Sequence, residues 1–243
     1  MARGQINELT RFRVAMHWLQ SGMDETEHFI HIGESGLKSE FEDWGDWYKK
    51  RTKGFSAEEK RDFIDGYYDD LVMVRDVAPQ MFRKACFVML IGAWETTAAN
   101  LVRTLHRFGV LPTKPQQKIY CDKAKEYLRD DIGFRKSIFR GAWAFCERAA
   151  KVRNIIIHNN SHLPRDVQGT LGNGVEIARR FIRYTRHIHL SDHSDIELDQ
   201  GFCHAVNEKV VECVKSLTDE AVRIYRLRMK NIQQDSGSHG TKT

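Results

Sequence analysis

One apolar stripe between Pro79 and Phe108 constrains the fold of this chain more than any other feature. Its hydrophobic residues recur at steps of three and four positions: Phe87, Leu90, Ile91, Trp94, Ala98, Leu101, Leu105 and Phe108. This period places them on one face of a long helix, and other helices must cover that face. Pro79 suits the first turn of the helix, because an N–H there would have no partner within the helix anyway. The stripe therefore predicts a helical bundle.

Similar patterns predict helices on both sides of this stripe. We expect them over 6–20, 24–53 with a break, 56–76, 115–130, 136–157 and 200–230. Ser56 and Glu59 have the spacing of a capping box at the start of the third of these helices. Residues 188–190 and 196–198 flank a polar turn, which predicts a small hairpin. The expected fold class is all-α, a bundle of long antiparallel helices with one small β-hairpin before the last helix.

Charge is distributed unevenly along the chain. Residues 1–76 contain 11 Lys and Arg against 16 Asp and Glu, whereas residues 77–243 contain 27 against 17. We expect an N-terminal helical elaboration packed on the bundle over 1–76, the bundle itself over 77–232, and a disordered tail over 233–243. The basic part favours a polyanionic partner such as RNA, because phosphates that bind to it release their counterions.

Cysteine usage and hydropathy limit the class of protein further. The five cysteines are odd in number and form no C-x-x-C pair, which indicates reduced thiols rather than a disulfide framework or a zinc site. No stretch approaches the roughly 20 apolar residues that a bilayer requires, and the first residues do not resemble a signal peptide. We therefore expect a cytoplasmic protein without a membrane partner.

The predicted helix over 136–157 carries the residues of greatest chemical interest. Its apolar stripe runs Phe139, Trp143, Cys146, Ala150, and the next two positions in that step are Arg153 and Ile157. An arginine on a core face needs a partner. It can serve a site, or it can be structural, with its stem packed and its guanidinium either in solvent or paired with an acid such as Glu95.

A polar stripe runs beside the apolar one and includes Glu147, Lys151, Asn154 and His158. Asn154 and His158 are four residues apart and share a face. Arg153 and His158 are five apart, which separates them by about 140° around an ideal helix. They converge only if the arginine curls, if the helix end loosens, or if a second subunit brings the same two groups to a shared site.

These residues resemble the signature of the HEPN superfamily (higher eukaryotes and prokaryotes nucleotide-binding domain). The run from Arg153 through Asn154 to His158 matches that family's pattern of arginine, a polar residue, three further residues and histidine, near the end of a late helix. The following Asn159–His162 is similar to the loop that succeeds the motif in bacterial members. The upstream helix with Glu95 resembles the family's earlier core helix. The resemblance covers about residues 79–230.

The resemblance implies a helical bundle that forms a homodimer across the motif helices and a metal-independent endoribonuclease with no cofactor. His158 would then act as general acid and base, Arg153 would stabilise the transition state, and Asn154 would support them. Glu95 and Lys151 would be supporting residues. The expected RNA-binding residues are Arg148, Arg179, Arg180 and Arg183. In bacteria such proteins act in phage defence or toxin–antitoxin pairs, which implies an antitoxin or regulatory partner. Some HEPN toxins carry a tyrosine where this chain has Asn160.

Other interpretations remain open on the sequence alone. A catalytically silent helical RNA-binding or scaffold protein would use the same basic part and keep Arg153 and His158 as a structural pair. A metal site is not expected, because no cysteine or acid falls at a standard ligand spacing around the histidines His187, His189, His193 and His204. The glycine-rich run 169–174 lacks the lysine and the preceding strand of a phosphate-binding loop.

Overall fold

The structure is a computed structural model, and it describes residues 2–164 and 172–238. Eight α-helices are assigned there: α1 Ala2–Arg51, α2 Ala57–Gly66, α3 Tyr68–Val72, α4 Ala78–Arg107, α5 Cys121–Glu126, α6 Ala142–His158, α7 Gly172–Tyr184 and α8 Phe202–Ser238. Shorter helical turns lie at Met73–Val77, Tyr127–Asp131 and Lys136–Phe139. The strands β1 Ile188–Leu190 and β2 Ile196–Leu198 form an antiparallel hairpin. The predicted fold class, all-α with a small hairpin before the last helix, is confirmed.

Helix α1 is one continuous helix, and the break predicted near residues 20–24 is wrong. Gly22 lies in open space within it, and one exposed glycine costs a helix only about 1 kcal/mol, too little to end it. The end predicted at Gly54 is closer to the structure. Thr52 donates its amide and its hydroxyl to the carbonyl oxygen of Tyr48, at 3.0 and 2.9 Å, and Gly54 then adopts a φ of +90°.

The capping box predicted at Ser56 is confirmed. The amide of Ser56 donates to Glu59 Oε2 at 2.7 Å, and the amide of Glu59 donates to Ser56 Oγ at 3.2 Å. The predicted helix over 56–76 is interrupted, because α2 ends at Gly66 and α3 begins at Tyr68. A wider helical turn at Met73–Val77 then leads directly into α4.

The described chain divides into two compact units. Of the described residues, the first contains 2–25, 90–151 and 206–238, and the second contains 26–89, 152–164 and 172–205. The division of the chain into an elaboration over 1–76 and a bundle over 77–232 stays a prediction. The predicted tail over 233–243 lies in α8 as far as Ser238, and residues 239–243 are outside the described residues.

The core of the first unit is built from the stripes of α4, α6 and α8. Trp94 and Trp143 meet edge to face at 5.1 Å, and the indole N–H of Trp94 donates to Cys213 Sγ at 3.3 Å. Seven of the eight stripe residues predicted on the long helix are fully buried: Phe87, Leu90, Ile91, Trp94, Ala98, Leu101 and Leu105. The eighth, Phe108, is half-buried. The period of the sequence thus identified the core face of α4.

A buried carboxylate ties the segment before α6 to α8 within the first unit. Glu220 is 1% exposed and accepts hydrogen bonds from the amide and side chain of Arg135 and from the side chain of Arg223. Burial alone would raise the pKa of Glu220, but the hydrogen bonds from Arg223 and Arg135 outweigh it and lower the pKa to about 2. Glu220 is therefore a charged structural residue.

In the second unit, the hairpin is held by two side chains of α4, one of which is paired with α1. Gln80 extends β2 as a further strand would, because its side-chain amide donates to the carbonyl oxygen of Leu198 and accepts from the amide of Leu198, at 3.1 and 3.0 Å. Arg83 donates to Glu34 through Nε and Nη2, at 2.8 and 3.0 Å, and to the carbonyl oxygen of Leu198 at 3.2 Å. These bonds position the hairpin.

One helical stretch among the described residues, Tyr68–Arg107, is long and apolar enough to cross a membrane by length and composition. Its mean hydropathy reaches 1.4 over an 18-residue window, and 56% of that window is buried inside the fold. No such stretch was predicted from the sequence. The core helix of a soluble protein passes the same test, so the stretch is weak evidence. The cytoplasmic location and the absence of a membrane partner stay predictions.

Candidate functional site

The helix that carries the motif is shorter than predicted. The expected helix over 136–157 is divided into the turn Lys136–Phe139 and α6, with Gly141 at a φ of +56° between them. Such a positive φ favours glycine and interrupts the helix. Helix α6 then runs from Ala142 to His158 and carries the whole motif at its C-terminal end.

The buried face of α6 differs from the predicted stripe. The buried residues of the helix are Ala142, Trp143, Cys146, Ala149, Val152 and Ile155. Steps of three rotate the buried face by about 60° each turn, whereas the predicted stripe alternated steps of three and four. As a result Ala150 is half-buried and Ile157 is 47% exposed. Arg153 therefore lies at the edge of the buried face and not within it.

Arg153 is half-buried, and its neighbours Val152 and Ile155 are buried. Its Nε atom is shielded from solvent. Arginine side chains are cationic in proteins at physiological pH. The arginine thus provides a fixed positive charge beside an apolar surface.

Asn154 and His158 are both exposed on the polar side of α6, one turn apart. Lys151 is half-buried one step earlier on this stripe. Glu147 begins the stripe and is already paired, because Lys125 Nζ lies 2.7 and 3.0 Å from its two carboxylate oxygens. Glu95, the supporting acid predicted on the upstream helix, is half-buried in α4. The accessible end of the stripe is thus formed by Asn154 and His158.

The end of α6 keeps regular geometry at the motif. The amide of Asn159 donates to the carbonyl oxygen of Ile155 at 2.9 Å, so the helical hydrogen bonds continue past His158. Arg153 and His158 are therefore separated by about 140° around the helix axis. Loosening of the helix end does not bring the two side chains together within one chain.

The loop after the motif is fixed by the hairpin. Asn160 and Ser161 have φ values of 48° and 70°, and Ser161 is buried. The carbonyl oxygen of Ser161 accepts from the amide of Ile196, and the amide of Leu163 donates to the carbonyl oxygen of Ser194, both at 2.9 Å. Sequence reasoning missed this pairing, because nothing local links two short segments about 30 residues apart.

A histidine and a carboxylate reinforce the same contact. His162 pairs with Asp195 as an isolated antiparallel bridge, and their Nδ1 and Oδ1 atoms are 3.2 Å apart. The loop Asn159–His162, whose sequence resembles the loop after the HEPN motif, is thus held in one conformation at the end of α6.

The basic residues predicted to contact RNA differ in their availability. Arg148 and Arg183 are exposed. Arg180 is exposed but pairs with Glu176 at 2.9 Å. Arg179 is half-buried and donates to the carbonyl oxygen of Pro164 at 2.9 Å, which gives it a structural task. Three of these four arginines lie on α7, a helix that was not predicted. The apolar residues Val175, Ala178, Phe181 and Ile182 have helical spacing and are buried, so the sequence contained a signal for it.

The four histidines considered as metal ligands have separate surroundings. His189 lies 3.0 Å from Glu197 Oε2, and His204 lies 2.6 Å from Glu27 Oε1. His187 and His193 are exposed. Within residues 2–164 and 172–238, no three His, Cys, Asp or Glu residues are grouped so that they could hold a metal ion. The glycine-rich run 169–174 falls in part on residues 165–171, outside the described residues.

Comparison with known proteins adds little to this geometry. No family model matches the chain, and no solved structure matches it. The chain is similar to a Caenorhabditis elegans protein described as "Putative cytochrome P450 CYP13A2", with 25% identity over 148 residues, which is 53% of this chain. The match covers 28% of the nematode protein's own length. A similarity of this identity and coverage shows no family for the chain.

Proposed function

We propose that this chain is a metal-independent endoribonuclease of the HEPN type that acts as a homodimer. The observation that carries the proposal is the regular C-terminal end of α6, where exposed Asn154 and His158 share one face and half-buried Arg153 lies at the edge of the buried face. The residue types and their order match the HEPN signature. The rest of the proposal follows from the chemistry of RNA cleavage.

The three side chains suit cleavage of RNA by its own 2′-hydroxyl group. A base must take the 2′-OH proton, and an acid must protonate the leaving 5′-oxygen. A histidine has an unperturbed pKa near neutrality and can do both, a contribution of about 10²–10⁴ in rate. A guanidinium can bind the non-bridging oxygens of the phosphorane while it stays charged. Asn154 can orient His158 or donate to the phosphate, and the products carry 2′,3′-cyclic phosphate and 5′-hydroxyl ends.

In the proposed homodimer, a second copy of the chain supplies the arginine or histidine that one chain does not bring to the same phosphate. Because α6 keeps Arg153 and His158 about 140° apart, one chain does not present both to the same phosphate. A two-fold axis that packs two α6 helices together would bring Arg153 of one copy beside His158 of the other, and two equivalent pairs would then face one cleft. Ile157, 47% exposed between the two polar groups, suits such a contact.

The test is cleavage of a mixed, end-labelled RNA by the purified protein in excess EDTA. We expect the wild type to cut and to leave cyclic-phosphate ends, and we expect His158→Ala and Arg153→Lys to lose at least about 100-fold in rate. The matched control is His193→Ala, which removes an exposed histidine from the hairpin turn of the same unit. Equal cleavage by wild type and His158→Ala would contradict the proposal.

A silent RNA-binding or scaffold protein is the second candidate, and the exposed arginines Arg148 and Arg183 favour it. It requires RNA binding that weakens with salt but no cleavage by any variant. The proposed biological setting is bacterial phage defence or a toxin–antitoxin pair, with an antitoxin or regulatory protein as partner. Support for that setting comes from the HEPN resemblance alone.

A further inference from the structure

A cavity of about 230 Å³ lies between the middle of α1, the turn Met73–Val77 and the start of α4 in the second unit. Part of its wall is apolar and is formed by Leu37, Phe41, Val74 and Pro79. Phe41 lines this wall and is 43% exposed. An apolar, partly open wall of this kind can hold a flat hydrocarbon body.

The polar floor of the cavity carries no net charge. Glu34 is only 6% exposed, and both of its carboxylate oxygens accept from Arg83, at 2.8 and 3.0 Å. Arg83 Nη1 also donates to the carbonyl oxygen of Leu198 at 3.2 Å. The buried carboxylate and the half-buried guanidinium therefore neutralise each other, and their hydrogen bonds hold the floor in place.

The rim of the cavity, in contrast, carries two cations. Lys38 and Arg75 both line the cavity, and their acidic neighbours Glu42 and Asp76 do not. Lys38 Nζ is 3.8 Å from Glu42, and both side chains are mostly exposed. Arg75 donates to both carboxylate oxygens of Asp76 through Nε and Nη2, at 2.7 to 3.1 Å, with both side chains about half exposed. Exposed pairs of this kind contribute little stability, so an anion at the rim can share these cations at small cost.

We propose that this cavity is a binding site for a small organic anion with a planar apolar body. The body lies against Phe41 and Val74, and the carboxylate, sulfonate or phosphate group lies between Lys38 and Arg75 at the rim. A cavity of about 150 Å³ holds a benzene molecule, so the volume here has room for a ring and one charged group. This site is independent of RNA cleavage and uses none of the residues of the α6 motif.

The test compares benzoate, benzamide and acetate by ligand-observed saturation-transfer NMR, with acetate measured by competition. Benzoate has both the ring and the charge, benzamide keeps the ring without the charge, and acetate keeps the charge without the ring. We expect saturable binding of benzoate, and benzamide at least about tenfold weaker, since a charge-assisted hydrogen bond contributes about that factor. Acetate should compete only at much higher concentration.

Variants of the rim locate the site on the surface. Lys38→Gln combined with Arg75→Gln should lower the affinity for benzoate at least about tenfold and leave the weak binding of benzamide unchanged. Phe41→Ala should weaken both ring compounds. Lys49→Gln is the matched control, since Lys49 is an equally exposed lysine on α1 that does not line the cavity. Circular dichroism checks that each variant is folded.

Three results would overturn the proposal. These are no saturable binding of benzoate, equal affinities for benzoate and benzamide, and an affinity for benzoate that is unchanged in the rim variant. Because His158 takes no part, His158→Ala must bind benzoate like the wild type. A failure of the ribonuclease test therefore leaves the cavity proposal standing, and the reverse also holds.

Discussion

The ring of Phe82 lies directly against the backbone of Gly33, so that a Cβ atom at residue 33 would be 1.9 Å from Phe82 Cζ. No side chain fits at that distance, and α1 and α4 approach each other closely at this point because residue 33 is glycine. Phe29 also contacts Phe82, with ring centroids 5.9 Å apart.

We therefore predict opposite effects from two alanine substitutions one turn apart on α1. Gly33→Ala should destabilise the protein by about 1–3 kcal/mol, because Phe82 must move or α1 must shift. Gly36→Ala meets no atom within 4 Å and should stabilise it by about 0.5–1 kcal/mol, because alanine loses less backbone entropy in a helix. Urea unfolding of the two variants measures both. A Gly33→Ala variant as stable as the wild type would show that the close approach is absent.

This contact illustrates which parts of the fold the sequence could reveal. The stripe of α4 and the capping box at Ser56 depend on residues within a few turns of one another, and both predictions were confirmed. The function of Gly33 depends on Phe82, 49 residues away, and nothing in the sequence around Gly33 predicts that contact. In the same way, the loop at Ser161 is held by Ile196 through a pairing that has no local signal.

Part of the candidate site could also be predicted from the sequence, because it depends on residues close together in the chain. The residue types at Arg153, Asn154 and His158 and their angular separation followed from sequence and from ideal helix geometry. The position of Arg153 at the edge of the buried face did not follow, because the buried face of α6 is set by its neighbours and rotates along the helix. Whether a second chain completes the site is a property of two molecules, and one sequence does not contain it.

The buried carboxylate of Glu220 should make stability depend on acid pH. Its pKa is lowered to about 2 in the folded protein by hydrogen bonds from Arg223 and Arg135 that outweigh its burial, against an ordinary value of 4.5. The resulting stabilisation, at most about 3 kcal/mol, is fully present above pH 4.5 and is lost as the pH falls towards 2. Glu220→Gln should therefore be less stable at pH 7 and should lose less stability on acidification.

Urea midpoints between pH 7 and pH 2.5 measure this dependence. The control is Glu212→Gln, which alters a half-exposed acid on the same helix that pairs with Lys209. Parallel pH profiles for the wild type and Glu220→Gln would show that this carboxylate has the same pKa in the folded and unfolded protein.

Removing one member of the Glu34–Arg83 ion pair should destabilise the protein more than removing both. Glu34→Leu or Arg83→Met removes one partner of this largely buried ion pair and should cost about 3–5 kcal/mol in free energy of unfolding. The double variant Glu34→Leu with Arg83→Met removes both charges and should recover much of that loss. The exposed pair of Asp46 and Lys49 on the same helix provides the comparison, because Asp46→Asn should cost less than about 1 kcal/mol. Additive single losses in the double variant would contradict this account.

Substitutions of two arginines one turn apart on α7 should have different effects, one on RNA binding and the other on stability. Arg183 is exposed, and Arg183→Gln should weaken RNA binding and reduce the slope of log affinity against log salt by about 0.7, the value for one single-stranded phosphate contact. Arg179 donates to the carbonyl oxygen of Pro164, and Arg179→Gln should lower the free energy of unfolding by about 1–3 kcal/mol. Filter binding over a salt series and urea unfolding measure the two effects. If the salt dependence of RNA binding is unchanged in Arg183→Gln, Arg183 does not contact the RNA phosphates.

Mixing two inactive variants tests whether the proposed ribonuclease site is shared between two chains. In a composite site, an Arg153→Ala chain still supplies His158, and a His158→Ala chain still supplies Arg153. After the two are unfolded together and refolded, about half of the dimers are mixed, and each mixed dimer has one intact pair of the two. We expect about a quarter of the wild-type cleavage rate in EDTA, whereas each variant refolded alone should stay inactive. If the mixture is as inactive as its components while the wild type recovers after the same treatment, the pair must act within one chain, and α6 must then rearrange when RNA binds.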